Sequence, residues 1–308
     1  MRRSVLFFGL SDVFNHPLRN YQRFPAVRCD RGLVYDERYG NETALDVYYT
    51  DSDADLRPVL VNVHGGGFVR GDKRFRSGFA RYFAARGWVV VNINYRLAPG
   101  TTYPAAIEDT IHALNFIRSL ADRYRFDLDR LVLTGDSAGG YYAAMATAAI
   151  YSSDLRARLG LPAYQGNGIR ALMTFCAPFD MLKCFLVPSP LDVSLDVANC
   201  VFGTRLKTPR KGDDFPFADE DVSVLPNVNS DWCECYLEAA EKDSFCGGQV
   251  DGMADALAAC GVKYTVKIAS GKHDRHCTHL FPFLKDSRAV MRDAAAFLEG
   301  IRAEGRKQ

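Results

Sequence analysis

A serine between two glycines carries the first chemical signal in the sequence. The pentapeptide Gly135-Asp136-Ser137-Ala138-Gly139 follows an apolar run at 131–134 and precedes an alanine-rich stretch. This is the G-x-S-x-G pattern in the context that it requires, a strand that turns sharply into a helix. Side chains at the two glycine positions would collide with neighbouring backbone. The pattern predicts a nucleophilic hydroxyl on Ser137 at a helix N-terminus, where the helix dipole favours developing negative charge.

A second glycine-rich segment follows another predicted strand. His64-Gly65-Gly66-Gly67 comes directly after a β-branched run at 58–63. Consecutive glycines let the backbone approach a ligand closely and direct N–H groups towards a developing oxyanion. The residue after the serine, Ala138, is expected to supply a further N–H group. We predict that His64 braces this loop and is not a base, because it precedes the serine in the chain.

Two further motifs complete a resemblance to a known family. Residues 94–99 read Asn-Tyr-Arg-Leu-Ala-Pro, and residues 103–109 read Tyr-Pro-Ala-Ala-Ile-Glu-Asp. Together with HGGGF and GDSAGG, these motifs closely resemble the signatures of the hormone-sensitive lipase family of α/β-hydrolases. The resemblance runs from about residue 44 to the C-terminus. It implies an α/β-hydrolase fold, a serine carboxylesterase activity, and oxyanion N–H groups from Gly66, Gly67 and Ala138.

The acid of a catalytic triad is expected after a late strand, because the chain order in this fold is serine, acid, histidine. A strand predicted at 235–239 is followed by Asp243, in the place of the family's G-x-x-D acid. The sequence departs from the family at Ala240, where glycine is usual, and at Ser244, where proline is common. Glu241 lies nearer the strand and is the alternative acid.

Three histidines compete for the role of general base. His273, His276 and His279 lie in one segment after a strand predicted at 262–269. Relatives carry H-x-F at the catalytic histidine, and among the three only His279 precedes x-Phe, so the resemblance favours His279. His276 is the first alternative, because it is closer to the strand and a shorter loop usually fixes a side chain better. The expected triad is therefore Ser137, Asp243 and His279.

The same segment offers residues of the metal-ligand type. With two cysteines of the preceding strand, the candidates are His273, His276, Cys277, His279, Cys233 and Cys235. A C-x-x-C pair and the H-E-x-x-H spacing are both absent from the sequence, and a triad histidine cannot also bind zinc. We therefore expect no metal. No cofactor is expected either, because water hydrolyses the acyl-enzyme.

The elements that must position these residues alternate between strands and helices. Strands are predicted at 58–63, 88–93, 130–134, 169–176, 235–239 and 262–269. Helices are predicted at 103–121, 137–149, 248–260 and 287–301. This alternation predicts an α/β fold with a mostly parallel central sheet flanked by helices. Residues 32–39 and 44–50 alternate apolar and polar side chains, which predicts an antiparallel edge hairpin.

The region from 179 to 229 departs from this alternation. It is rich in Pro, Asp, Val and Leu without a sustained period, and such long irregular insertions are usually functional. The family resemblance implies a cap built from this insertion and the aromatic N-terminal segment. We predict a catalytic domain at 25–180 and 230–308, with a cap or lid at 1–24 and 181–229.

Composition excludes several classes of function. The 308 residues carry a formal net charge of +1, which removes the usual electrostatic case for a nucleic acid or an anionic membrane as partner. The apolar runs fall short of the roughly 20 residues of a membrane-spanning helix. The N-terminal apolar stretch at 5–10 is too short for a signal peptide. Nine cysteines without framework spacing indicate reduced thiols and a cytoplasmic protein.

These features together predict a serine carboxylesterase. The family resemblance implies small or short-acyl ester substrates. The nearer alternative is an amidase or deacetylase that uses the same residues. The alternative from another class is a non-catalytic hydrolase-fold binding protein, which typically loses the serine or the histidine. The oligomeric state is left open, with a homodimer as one option.

Overall fold

One central sheet and the helices that cover it carry the two glycine-rich turns. The computed structural model describes residues 2–52, 54, 56–186, 193–206 and 215–304. In these ranges the strands are β1 (Val27–Val34), β2 (Ala44–Thr50), β3 (Arg57–Val63), β4 (Val89–Ile93), β5 (Phe126–Asp136), β6 (Ala171–Phe175), β7 (Glu234–Ala240) and β8 (Tyr264–Ala269). The α-helices are α1 (Arg3–Asn20), α2 (Ser77–Ala84), α3 (Ala105–Ser119), α4 (Ala121–Tyr124), α5 (Ala138–Tyr151), α6 (Ser153–Leu159), α7 (Met181–Leu186), α8 (Val193–Phe202), α9 (Asp219–Val222), α10 (Gln249–Ala259) and α11 (Lys285–Ala303).

The strand order is β1-β2-β4-β3-β5-β6-β7-β8. The β1–β2 and β2–β4 pairs are antiparallel, and the remaining pairs are parallel. The predicted mostly parallel sheet is therefore confirmed. Val63 at the end of β3 pairs with Gly135 near the end of β5, so the two glycine-rich turns begin side by side. The carboxyl ends of the parallel strands share one edge of the sheet, and the candidate residues follow those ends.

Apolar side chains on both faces explain why the central strands read as continuous apolar runs. Val61 belongs to the core cluster that includes Ile107 of α3, whereas Leu60 belongs to the cluster that includes Phe83 of α2 and Leu298 of α11. Successive residues of a strand point to opposite faces, so a sheet covered by helices on both sides needs an apolar residue at nearly every position.

The antiparallel pair at the sheet edge exists, but its first strand lies earlier than predicted. β1 spans Val27–Val34, not 32–39, and a 3-10 turn at Gly40–Thr43 precedes β2. The register shifts between Asp30 and Leu33. Gly32 lies at this irregularity with a φ of 70°, and its N–H donates to Asp46 Oδ1 at 2.9 Å. This bulge interrupts the alternation of side chains from which strands are predicted.

Helix α1 packs against the segment between β6 and β7. The Ser4 hydroxyl and its backbone N–H both donate to Asp196 Oδ2 in α8, at 2.6 and 2.9 Å. These contacts join the two parts of the predicted cap, of which residue 1, 187–192 and 207–214 lie outside the described residues. Within the described ranges, no helix combines the length and apolar composition needed to cross a membrane.

Candidate active site

Ser137 occupies the turn between β5 and α5. Its backbone has φ 51° and ψ −125°, a strained conformation that its N–H stabilises by donating to the Phe175 carbonyl at 2.9 Å. A Cβ at Gly135 would meet the backbone of Gly139, and a Cβ at Gly139 would meet the Val63 carbonyl oxygen. The steric reason expected for both glycines is therefore present in the structure.

A histidine and an aspartate align with this serine. His276 Nε2 lies 2.9 Å from Ser137 Oγ, and His276 Nδ1 lies 3.0 and 2.9 Å from the two carboxylate oxygens of Asp243. The backbone N–H groups of Phe245 and Cys246 donate to Asp243 Oδ1 at 2.8 and 3.0 Å, which fixes the carboxylate. A hydroxyl, an imidazole and a buried carboxylate in this order are the geometry of a nucleophile, a general base and an orienting acid.

The expectation that His279 is the base is wrong. Its ring is 3% exposed and stacks on Phe175 with centroids 4.2 Å apart, away from the serine hydroxyl. Burial lowers the pKa of His279 to about 3. Cys277 adopts a left-handed φ of 56° and is followed by a 3-10 turn at Thr278–Leu280, so the chain direction changes between the two histidines. His276 consequently faces the site, and the His-x-Phe match belongs to a residue of the core.

Two other sequence candidates lie away from the serine. His273 is exposed, and its backbone N–H donates to Asp286 Oδ2 at 2.8 Å. Glu241 is also exposed, and its backbone N–H donates to the Ala269 carbonyl at 2.9 Å. The structure thus selects Asp243 over Glu241 as the carboxylate that contacts a histidine.

The three groups shift one another's proton affinities. Burial alone would raise the pKa of Asp243, but the hydrogen bond and charge of His276 bring it below its ordinary value. Burial alone would lower the pKa of His276, but the Cys277 thiolate and the Asp243 carboxylate raise it well above its ordinary value. Asp243 therefore stays ionised and stabilises the imidazolium that forms when His276 accepts a proton.

The glycine loop after β3 approaches both the serine turn and α1. The Gly65 N–H donates to Asp136 Oδ1 at 3.2 Å and is committed to that carboxylate. Gly66 and Gly67 have φ values of 148° and 59°, which favour glycine. A Cβ at Gly67 would overlap the ring of Phe8 from α1. The N-terminal helix therefore covers this loop directly.

His64 has the bracing position expected for it. Its ring is buried and stacks on Tyr95 with centroids 4.4 Å apart, and its Nδ1 lies 3.0 Å from the Gly65 carbonyl oxygen. The Tyr95 hydroxyl donates to the His64 carbonyl at 2.7 Å. Burial lowers the pKa of His64 to about 4, so the ring is neutral near pH 7.

A buried ion pair supports both turns and was missed at the level of sequence. Arg76 donates from Nε and Nη2 to the two carboxylate oxygens of Asp136 at 2.7 and 2.6 Å. Burial alone would raise the pKa of Asp136, but the Arg76 charge holds it well below its ordinary value. A charge at the end of a buried strand signals that a partner must exist. The sequence offers no spacing rule that identifies Arg76, which lies 60 residues away.

The Tyr-Arg-Leu-Ala-Pro motif also has a structural explanation. Arg96 Nη2 donates to Asp109 Oδ1 at 2.6 Å, and the Arg96 backbone N–H donates to Asp109 Oδ2 at 2.8 Å. The same guanidinium contacts Glu108 at 2.6 Å. This motif holds the segment after β4 against α3, and its contacts are separate from those of Ser137, His276 and Asp243.

Side chains of the metal-ligand type come together around His276. Two groups within the described ranges have ligand atoms less than 4.8 Å apart: Cys176, His276 and Cys277 form one, and Asp243, Cys246 and His276 form the other. Both groups include the imidazole that contacts Ser137 and Asp243, so a metal bound there would take it from these partners. Neither group contains His273, His279, Cys233 or Cys235, the other ligands considered from the sequence.

Known proteins resemble the chain in sequence. The BD-FAE family model matches residues 45–193. The probable carboxylic ester hydrolase LipM of Mycobacterium tuberculosis is 31% identical over 171 residues, which are 54% of this chain and 38% of LipM. Carboxylesterase NlhH of the same species is 38% identical over 123 residues, 39% of this chain and 38% of NlhH. The matched segments thus span less than two fifths of either relative.

Solved structures resemble the chain over nearly its whole length. Esterase B from Lactobacillus rhamnosis superposes with a TM-score of 0.82 at 21% identity, covering 97% of this chain and 95% of that one. A bacterial heroin esterase gives a TM-score of 0.74 at 22% identity, with coverage of 97% and 91%. At these identities the likeness shows the fold, and it confirms the expected fold class.

Proposed function

We propose that this chain, an α/β-hydrolase of the hormone-sensitive-lipase-like kind with a BD-FAE domain, is a serine carboxylesterase. The observation that carries the proposal is the row from Ser137 Oγ through the His276 imidazole to the Asp243 carboxylate. The esterase names of the sequence relatives support it. A non-catalytic binding protein does not require a hydroxyl, an imidazole and a carboxylate at hydrogen-bonding distance from one another.

The proposed reaction is acyl transfer through Ser137. His276 Nε2 accepts the serine proton while Oγ forms a bond to the ester carbonyl carbon, which gives a tetrahedral oxyanion. The oxyanion collapses, the bond to the alcohol oxygen breaks, and His276 returns the proton to the leaving alcohol. Water then attacks the acyl carbon, again with His276 as base; the bond from that carbon to Oγ breaks, His276 returns the proton to Ser137, and a carboxylic acid leaves. Asp243 orients the ring and stabilises its protonated form throughout.

Backbone N–H groups of Gly66, Gly67 and Ala138 are proposed to stabilise the oxyanion. The Gly65 N–H is engaged by Asp136, which leaves the next two glycines as the donors of this loop. Ala138 is the first residue of α5, where N–H groups have no partner within the helix. A single such donor is worth about 3 kcal/mol of transition-state stabilisation.

The proposed substrates are small or short-acyl esters. Phe8 covers the glycine loop, and the ring of Phe245 lies 5.0 Å from that of His276, so aromatic side chains border the reacting atoms. We propose that residues 1–24 and 181–229 form the cap that limits substrate size, on a catalytic domain of 25–180 and 230–308. The link between Ser4 and Asp196 supports this division.

A cytoplasmic location is proposed on the state of the cysteines. All nine thiols are free, and those of Cys176 and Cys277 lie within 4.8 Å of each other. Thiols at this distance would be prone to pair in an oxidising compartment.

A fluorophosphonate probe with peptide mass mapping tests the proposed nucleophile. We expect the probe to modify Ser137 alone. Hydrolysis of nitrophenyl acetate should fall in proportion to the labelling, and the Ser137→Ala variant should not hydrolyse it. An acyl-chain-length series of nitrophenyl esters beside a panel of N-acetyl and N-formyl amides then separates an esterase from an amidase. Wild-type turnover by Ser137→Ala would contradict the proposal.

A further inference from the structure

A cavity lies beside the segment that carries His276 and His279. It has a volume of about 250 Å³ and is bordered by α1, α2, α11 and the turn that contains His279. Ser137, His276 and Asp243 are not among its lining residues. The apolar part of its wall consists of Phe79, Leu280, Pro282 and Met291.

Four arginines surround this cavity: Arg19, Arg86, Arg288 and Arg292. None of the described residues that line it is acidic. Arg86 donates to the Tyr82 carbonyl at 2.7 Å, and Arg288 donates to the Phe283 carbonyl at 2.8 Å. Carbonyl groups hold these guanidinium groups in place but carry no net negative charge, so the wall remains cationic.

Two of the arginines have unused capacity to bind an anion. Arg19 contacts Asp12 at 3.4 Å, but its Nε is buried without a hydrogen-bond partner. Burial and then the charge of Arg76 lower the pKa of Arg19, as expected for a buried cation whose negative partners offset only part of the cost of its burial. Arg292 is exposed on α11 and has no hydrogen bond or ion pair with any residue that the structure describes.

The inner wall supplies an unpartnered polar atom as well. His279, which is 3% exposed, lines the cavity, and its Nδ1 lacks a hydrogen-bond partner among the described residues. Burial keeps this ring neutral. A neutral imidazole beside an apolar wall tolerates the body of an organic molecule, whereas the arginines at the rim require a negative charge.

We propose that this cavity binds an organic carboxylate, with its ring or short chain against Phe79 and Met291 and its charge among Arg19, Arg288 and Arg292. Guanidinium groups match carboxylates in geometry and charge. The mainly apolar wall favours a monoanion with a hydrophobic body over a free inorganic anion. Both the acid released by ester hydrolysis and an unrelated aromatic acid have this chemistry. The site is distinct from the proposed catalytic centre and does not depend on its activity.

Calorimetric titration tests this proposal with benzoate, its neutral isostere benzamide, and butyrate as a short-acyl product. The protein is first treated with the fluorophosphonate, so that carboxylates cannot enter a reactive serine site; untreated protein is titrated in parallel. We expect one benzoate or butyrate per chain, with benzamide at least tenfold weaker. Tighter butyrate would indicate the reaction product as ligand, and tighter benzoate an aromatic acid.

A pair of charge-matched variants on α11 locates the site. Arg292→Gln should weaken carboxylate binding about tenfold, the scale of one hydrogen bond to a charged group. Lys285→Gln removes the same charge from an exposed residue of the same helix that does not line the cavity, and should change affinity less than twofold. Equal affinities for benzoate and benzamide, equal effects of the two substitutions, or loss of all binding after serine modification would each overturn the proposal.

Discussion

Two histidines three residues apart have opposite surroundings. His276 contacts a hydroxyl and a carboxylate, and the neighbouring negative charges raise its pKa. His279 stacks on Phe175 in the core, where burial lowers its pKa to about 3. The same side chain is thus positioned to accept a proton from a hydroxyl in one place and packs as an apolar ring in the other. Its partners, more than its position in a motif, decide which role it has.

The largest effect is expected when the carboxylate that contacts His276 loses its charge. Asp243→Asn keeps the size of the side chain but removes the charge that orients and stabilises the imidazolium, so kcat should fall about ten-thousandfold. Steady-state kinetics with nitrophenyl acetate measure this change. Glu241→Gln is the control, because that carboxylate is exposed, and it should retain activity. Similar losses in both variants would contradict the assignment of the acid.

Breaking the apolar surroundings of His279 should affect stability. His279→Ala removes a buried ring stacked on Phe175, and the cavity should lower the free energy of unfolding by about 2–3 kcal/mol. Urea denaturation measures it. The exposed His273→Ala should stay within about 0.5 kcal/mol of wild type. A His279→Ala protein as stable as His273→Ala would show that the ring is not part of the core.

The pH profile tests the charge beside His276. A hydrogen bond from Cys176 and the nearby His276 lower the pKa of Cys277 to about 6, and the resulting thiolate raises the pKa of His276. The proposed mechanism needs neutral His276, so activity should fall as the pH decreases through the pKa of His276. Cys277→Ala should lower the pKa of His276 and so move the acidic limb of the kcat/KM profile to lower pH.

The control for this profile is Cys260→Ala, which removes a partly buried thiol that contacts the Val228 carbonyl at 3.4 Å. Its acidic limb should coincide with that of wild type. A limb that stays in place or moves to higher pH in Cys277→Ala would show that the thiolate does not act on His276.

The smallest effect is expected at the proposed cap. Phe8→Ala opens space above Gly67, so KM for short-acyl esters should rise less than tenfold and longer acyl chains should be accepted better. The chain-length series measures this shift in selectivity. Phe14→Ala on the same helix removes a ring that is 71% exposed and should leave the series unchanged. The same chain-length selectivity in both variants would show that α1 does not line the substrate pocket.

The parts that could be predicted from sequence depend on local sterics. A Cβ at Gly135 would meet the backbone of Gly139 within the turn itself, and one at Gly139 would meet the end of the adjacent β3, so the motif around Ser137 could be identified from a few residues. The buried strands were also predictable, because both faces of the sheet need apolar side chains. The bounds of β1 were predicted too late in the chain, because a bulge at Gly32 interrupts the alternation of apolar and polar side chains.

The parts that could not be predicted depend on contacts between distant segments. The choice between His276 and His279 follows from the left-handed conformation of Cys277 and from the position of Phe175, which belongs to another strand. The pairing of Arg76 with Asp136 likewise joins elements 60 residues apart. A pattern shows that a polar group is present, and only the fold shows which partner it meets.

The most direct test of the central claim compares kcat of His276→Ala and His279→Ala with nitrophenyl acetate, on folded protein at one pH. His276→Ala should lose at least about a thousandfold, the scale of removing a triad base. His279→Ala should lose less than tenfold, because its ring does not contact Ser137. An active His276→Ala beside an inactive, folded His279→Ala would contradict the assignment of the base.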